Sequence, residues 1–183
     1  MDPERQQRLN ELCAIAVRVE ADTKVPAQWC IVPQWALESK WGSNPCGNGF
    51  FGIKHASRHS MTILKTTHEN FTQAQIIRWN ASNPSHPARV IEQIPDGRFS
   101  VELDDAFADY PNLEASVRDY AWLISHGSPY AKVWAAFLGN GDGPALMKGI
   151  ASSGYASGTG YADLALQIAN QGSVQLALSA ARA

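Results

Sequence analysis

The chain has 183 residues, 45% of them hydrophobic and 17% charged, and a formal net charge of −2. That composition suits one folded domain with a single substantial core and excludes a disordered chain. The near-balanced charge, without a basic run, argues against a nucleic-acid partner, and no apolar stretch is long enough to span a bilayer.

Leu9, Leu12, Cys13, Ala16 and Val17 recur at helical spacing, which predicts a first helix over residues 4–21 with one apolar face. Pro26 suits the first position of a second helix, and Pro33 then interrupts the pattern by removing a backbone donor. Residues 34–41 continue that helix and Gly42 ends it. A loop rich in Ser, Asn and Gly follows over residues 43–60. Met61 to Lys65, Gln75 to Trp79, Arg89 to Ile94 and Arg98 to Val101 read as short strands, with Asp96-Gly97 as a hairpin turn. A small β lobe is therefore expected over about 61–101, inside one domain spanning 1–183. Helical patterning returns at about 112–126, 129–139, 143–152 and 160–170, and the tail 171–183 carries only a weak helical signal. Trp79, Trp122 and Trp134 read as core.

Glu38 is the first candidate for chemistry. It sits between Trp35 and Trp41 near the end of a short amphipathic segment, and the aromatic glycine turn from Gly49 to Lys54 follows. A carboxyl crowded by rings loses hydration, so its pKa rises and it can keep a proton for a glycosidic oxygen. The plainer reading is a solvated glutamate at a helix end. Cys13, Cys30 and Cys46 form no metal pattern and read as buried thiols, with one Cys13–Cys30 or Cys30–Cys46 bridge open to an extracellular protein. His55 and His59 lie in a Ser/Arg loop without a neighbouring acid, and no His-Glu-x-x-His occurs, so neither metal nor cofactor is expected. Ser39 lacks the Gly-x-Ser-x-Gly elbow of a nucleophile.

Four motifs in order resemble the glucosaminidase family of peptidoglycan hydrolases, the group of bacterial autolysins, phage lysins and flagellar rod hydrolase domains. The first holds Gln34, Leu37, Glu38, Ser39, Trp41 and Gly42; the second holds Asn48, Phe51, Gly52, Ile53 and Lys54. Phe107 to Tyr110, with Glu114-Ala115-Ser116 and Asp119-Tyr120, form the third. Gly154-Tyr155-Ala156, then Tyr161-Ala162, form the last. The chain departs from the family at Pro33, where Ala is usual, and at Ser157 to Gly160, where a Thr-Asp-Pro stretch is usual. Residues 70 to 106 are long and hard to align.

The resemblance implies an α+β, lysozyme-like fold, mainly helical, with a small β-hairpin lobe flanking a substrate cleft. It implies an endo-β-N-acetylglucosaminidase acting on peptidoglycan glycan strands as a monomer at the bacterial wall, in the periplasm or outside the cell. Residues Met1 to Arg8 lack the apolar core of a signal peptide, so export would need another route or a lost leader. Glu38 becomes the catalytic acid. The family's second acid commonly follows Thr-x on the hairpin, which points to Glu69 in Thr67-His68-Glu69, with Glu92, Glu102, Asp104 and Asp105 as alternatives; the substrate's N-acetyl group is a further possibility. Tyr155 is placed near the acid, and Tyr161 in packing. Trp41, Asn48, Phe51, Lys54 and Tyr110 are the substrate-binding candidates. A muramidase or lytic transglycosylase on the same fold, and a non-catalytic glycan-binding domain, are the rival readings.

Overall fold

Asp2 opens the first helix in the computed structural model, which describes residues 2–156 and 160–183. Its side chain accepts from the Arg5 N–H and Pro3 fills the first turn of α1, Pro3–Thr23. Ser157, Gly158 and Thr159, three of the four residues of the departure from the family's ending, lie outside the described residues. The chain divides into two compact units, one of Met1–Ile53 with Tyr110–Ala183 and one of Lys54–Asp109.

In the first unit, Pro33 shapes the segment that carries Glu38. Proline offers no N–H to the preceding turn and its ring crowds the carbonyl four residues back. The backbone widens just upstream: Ala27–Ile31 form a π turn, where the Ile31 and Val32 N–H groups reach back to Pro26 and Ala27. Helix α2 follows as Val32–Glu38, with Val32 to Ala36 all buried. It ends short of the expected Trp41. The Ser39 hydroxyl donates to the Trp35 carbonyl at 2.6 Å and accepts the Gly42 N–H at 2.9 Å. The backbone then turns left-handed at Lys40, Trp41 and Gly42, with φ of 50°, 60° and 74°. Only glycine fits the last position, because a Cβ on Gly42 would sit 2.7 Å from Trp35 Cζ2.

The remaining helices of this unit are α4 (Leu113–His126), α5 (Ala131–Asn140), α6 (Gly143–Ile150), α7 (Tyr161–Ala169) and α8 (Gly172–Arg182). The weak tail signal thus ends as a helix, held by buried Val174 and Leu178. The core joins Leu9, Leu12 and Val19 of α1, Trp35 of α2, Val117, Tyr120 and Ile124 of α4, and Leu146 and Ile150 of α6. Trp122 departs from its expected place in the core: it is 44% exposed and stacks on His126.

The second unit is a three-stranded antiparallel sheet with one helix against it. Strand β1 (Met61–Phe71) pairs along its whole length with β3 (Phe99–Asp109), and β2 (Arg89–Gln93) pairs on the other edge of β3. The strand expected over Gln75 to Trp79 is instead helix α3, Gln73–Ser82. Thr72 and Gln75 make a reciprocal capping box that starts the helix. Ile76 then packs with Val101 and Leu103 in a small core, with Phe71, Trp79 and Phe99 alongside. The whole fold is mainly helical α+β with a three-stranded sheet, as the resemblance implies.

Candidate active site

Glu38 is the last residue of α2 and its side chain is accessible to solvent. The protein atoms packed around it still displace enough water to push its carboxyl pKa up from the usual value, while a hydrogen bond from Tyr161 pulls the other way. That bond is short: the Tyr161 hydroxyl donates to Glu38 Oε1 at 2.7 Å. Oε2 lies beside Gly52, where an added Cβ would come within 3.3 Å of it; Gly52 holds φ at +61°. The glycine turn therefore presents bare backbone to one oxygen of the acid while α7 presents a phenol to the other.

Behind Tyr161 the polar chain continues inward. Gln34 Nε2 donates to the Tyr161 oxygen at 3.3 Å, and the Tyr120 hydroxyl donates to Gln34 Oε1. Gln34 and Tyr120 have no exposed surface. Tyr161, expected in packing, instead carries the hydroxyl bonded to Glu38. The signal for Gln34 was present, since it lies one helical turn before Glu38 on the same face. For Tyr161 only its distant place in the fourth motif hinted at contact.

The other candidates lie as follows. Tyr155 is half-buried and donates to the Phe51 carbonyl at 2.8 Å. Burial, then the Glu38 charge, hold its phenol pKa well above the usual value. Phe51 is buried and stacks on Tyr120 with ring centroids 4.4 Å apart. Asn48 Nδ2 donates to the Tyr110 carbonyl at 2.8 Å, and the buried Tyr110 gives its hydroxyl to Asp119 at 2.7 Å. Trp41 is partly exposed, meets the edge of Trp35, and carries the Arg5 guanidinium 3.7 Å above its ring. These residues all belong to the first unit.

Glu69 and Lys54 belong to the second. Glu69 lies on β1, and Lys54 Nζ sits 2.9 Å from Glu69 Oε1 and 2.7 Å from Asp105 Oδ2. Desolvation pulls the Lys54 pKa down, but its bonds to Asp105 and Glu69 outweigh that and hold the ammonium above the ordinary lysine value. Among the alternatives, Glu102 pairs with Arg89 and with His68, and Asp104 accepts from Thr66. Among the described residues, no group of three His, Cys, Asp or Glu side chains is placed to hold a metal ion. The three cysteines are buried thiols, and burial pushes the Cys13 pKa up to about 12. No described helix is long and apolar enough to cross a membrane.

Glu38 is thus a solvent-accessible, partly desolvated carboxyl on a helix end, with a phenol on one oxygen and bare glycine beside the other. The chain belongs to the glucosaminidase family, described as mannosyl-glycoprotein endo-β-N-acetylglucosaminidase, whose sequence profile matches residues 13–173. No curated protein matches it closely enough to count as a relative. Solved structures share its fold. A peptidoglycan hydrolase mutant from Sphingomonas sp. A1 aligns at TM-score 0.66 and 22% identity, over 96% of this chain and 99% of that one. The catalytic domain of the autolysin Auto from Listeria monocytogenes aligns at 0.65 and 18%, over 97% and 89%. An N-acetylmuramoyl-L-alanine amidase from Staphylococcus aureus aligns at 0.67 and 16%, over 97% of this chain and 44% of that one.

Proposed function

We propose that this chain hydrolyses peptidoglycan at the bacterial wall, cutting the β-1,4 bond that follows N-acetylglucosamine, with Glu38 as the general acid. The observation that carries this reading is the Glu38 carboxyl, open to substrate yet pushed toward its protonated form. Family membership supports the sugar, and the names of the fold neighbours from Sphingomonas and Listeria support the polymer.

In this mechanism Glu38 gives its proton to the bridging oxygen as the bond to the anomeric carbon breaks, leaving an oxocarbenium-like sugar. Glu69, paired with the Lys54 ammonium, takes a proton from the water whose oxygen attacks that carbon. Tyr155 braces the glycine turn beside the acid. Trp41 and Asn48 meet the sugar, Lys54 orients Glu69, and the buried Phe51 and Tyr110 support the floor.

Digestion of purified wall, borohydride reduction and mass spectrometry test the bond. Reduced N-acetylglucosamine ends are expected. Reduced muramic ends would mark a muramidase, and anhydro ends a lytic transglycosylase. Glu38→Gln is expected to lose hydrolysis by several orders of magnitude while still binding glycan. Full activity in that variant would return the chain to a reading without Glu38 chemistry.

A further inference from the structure

Three polar side chains stand in line behind Glu38, and their hydrogen-bond directions are fixed by chemistry. An amide oxygen only accepts and an amide nitrogen only donates. Tyr120 lies wholly in the core, and among the described residues Gln34 Oε1 is the acceptor given to its hydroxyl. Turning the amide over would take that acceptor from the buried Tyr120 hydroxyl, and a buried donor left unpaired costs about 1–3 kcal/mol. Gln34 Nε2 must then face Tyr161 and donate to its oxygen. The Tyr161 hydrogen is left with Glu38 Oε1 as its acceptor. Direction therefore runs one way, from Tyr120 through Gln34 and Tyr161 to Glu38.

We propose that this buried line, Tyr120–Gln34–Tyr161, is a positioning relay that makes Oε1 of Glu38 an obligate acceptor and so confines the catalytic proton to Oε2, the oxygen beside Gly52. It rests on the reading of Glu38 as the acid. A proton on Oε1 would oppose the Tyr161 hydrogen at 2.7 Å. A proton on Oε2 faces the side where Gly52 carries no side chain. The leaving oxygen is thereby required to approach along the glycine turn. Gln34 and Tyr120 never meet substrate: they act through Tyr161, whose oxygen they load so that its hydrogen points outward.

Among the described residues, the titratable groups that the Glu38 charge acts on are Tyr161 on α7 and Tyr155 in the turn after α6. Burial and the Glu38 charge keep both phenols neutral across the working range, so the carboxyl titrates against fixed dipoles.

The test is the pH dependence of kcat and KM for Tyr161→Phe, Tyr120→Phe and Glu38→Gln, on the folded chain with soluble glycan fragments. Removing the phenol takes a donor from the ionised acid. In Tyr161→Phe the alkaline limb of kcat is expected to move up by about half a pH unit or more, with kcat down about tenfold and KM nearly unchanged. Tyr120→Phe frees the amide to turn over, and the same limb is expected to move the same way by a smaller amount. A merely structural role would lower the melting temperature and leave the limb where it is. A stationary limb in both tyrosine variants, with Glu38→Gln inactive, overturns the relay and leaves the acid assignment standing. Full turnover in Glu38→Gln overturns the acid assignment itself. Tyr161 is partly exposed, so its variant stays readable even if the buried Tyr120→Phe folds poorly.

Discussion

The Tyr155 hydroxyl donates to the Phe51 carbonyl at 2.8 Å, tying the segment after α6 to the glycine turn that borders Glu38. Phe51 is buried, so its carbonyl pairs with protein or goes unsatisfied. Tyr155→Phe is expected to cost about 1–3 kcal/mol, which lowers the melting temperature by roughly 2–4 °C for each kcal/mol. Loosening the turn also moves Gly52 against the acid, so kcat is expected to fall about tenfold alongside. Calorimetry and kinetics on one preparation check the pairing of effects. A large loss of kcat at an unchanged melting temperature would give Tyr155 a direct role on the sugar instead.

Gly52 makes a sharper test of the same edge. At φ +61° a side chain is strained, and a Cβ there would stand 3.3 Å from Glu38 Oε2. Gly52→Ala is expected to lose about 1 kcal/mol of stability from the backbone and well over tenfold in kcat from crowding beside the acid. Gly97→Ala is the control. It carries similar strain at φ +85° in the β2–β3 turn, but nothing lies within 4 Å of its Cβ. Its stability should fall comparably and its kcat should not. Equal activity losses in both variants would remove the crowding explanation.

What the sequence disclosed follows from where the determinants are local. Apolar spacing marked α1 and α4, because their buried faces repeat at helical period over many residues. Residue type misleads over Gln75 to Trp79, which is helical. Ile76, Ile77 and Trp79 look like strand residues, yet Thr72 and Gln75 cap a helix whose Ile76 packs on Val101 and Leu103. The early end of α2 was hidden because it depends on the Ser39 hydroxyl taking the Trp35 carbonyl. Glu38 was legible from its motif. Its contact with Tyr161 was not, since 123 residues of chain separate the two and only folding brings them together.

The raised pKa of Glu38 makes a stability prediction with a definite sign. The fold favours the neutral carboxyl, so its contribution is fully present below the ordinary value of 4.5 and is lost as pH rises through the raised one. Gln at this position never ionises. Relative to the wild type, Glu38→Gln should therefore gain stability on going from about pH 4 to about pH 8, with the gap narrowing again in acid. The gain is small because the carboxyl still touches water and Tyr161 bonds its charged form. Urea titrations at the two pH values measure it. A gap that widens toward acid would mean the fold prefers the charged carboxylate, and the proposed acid would then lack its proton at the working pH.

The last prediction concerns the second unit, where Lys54 stands between Glu69 and Asp105 at 2.9 and 2.7 Å. Glu69→Gln leaves the Lys54–Asp105 pair in place, and the lost partner is a half-exposed ion pair worth about 1 kcal/mol or less. The melting temperature should hardly move. If Glu69 activates the attacking water, kcat should nevertheless fall by about 10²–10⁴-fold, with KM nearly unchanged. Lys54→Met should be milder in kcat, because it removes the cation that orients the carboxylate and not the carboxylate itself. Single-turnover hydrolysis of a soluble glycan by both variants provides the comparison. A loss below tenfold in Glu69→Gln would pass the second step to the substrate's own acetamido oxygen, since that group attacks the anomeric carbon from within the sugar and needs no protein carboxylate to activate water.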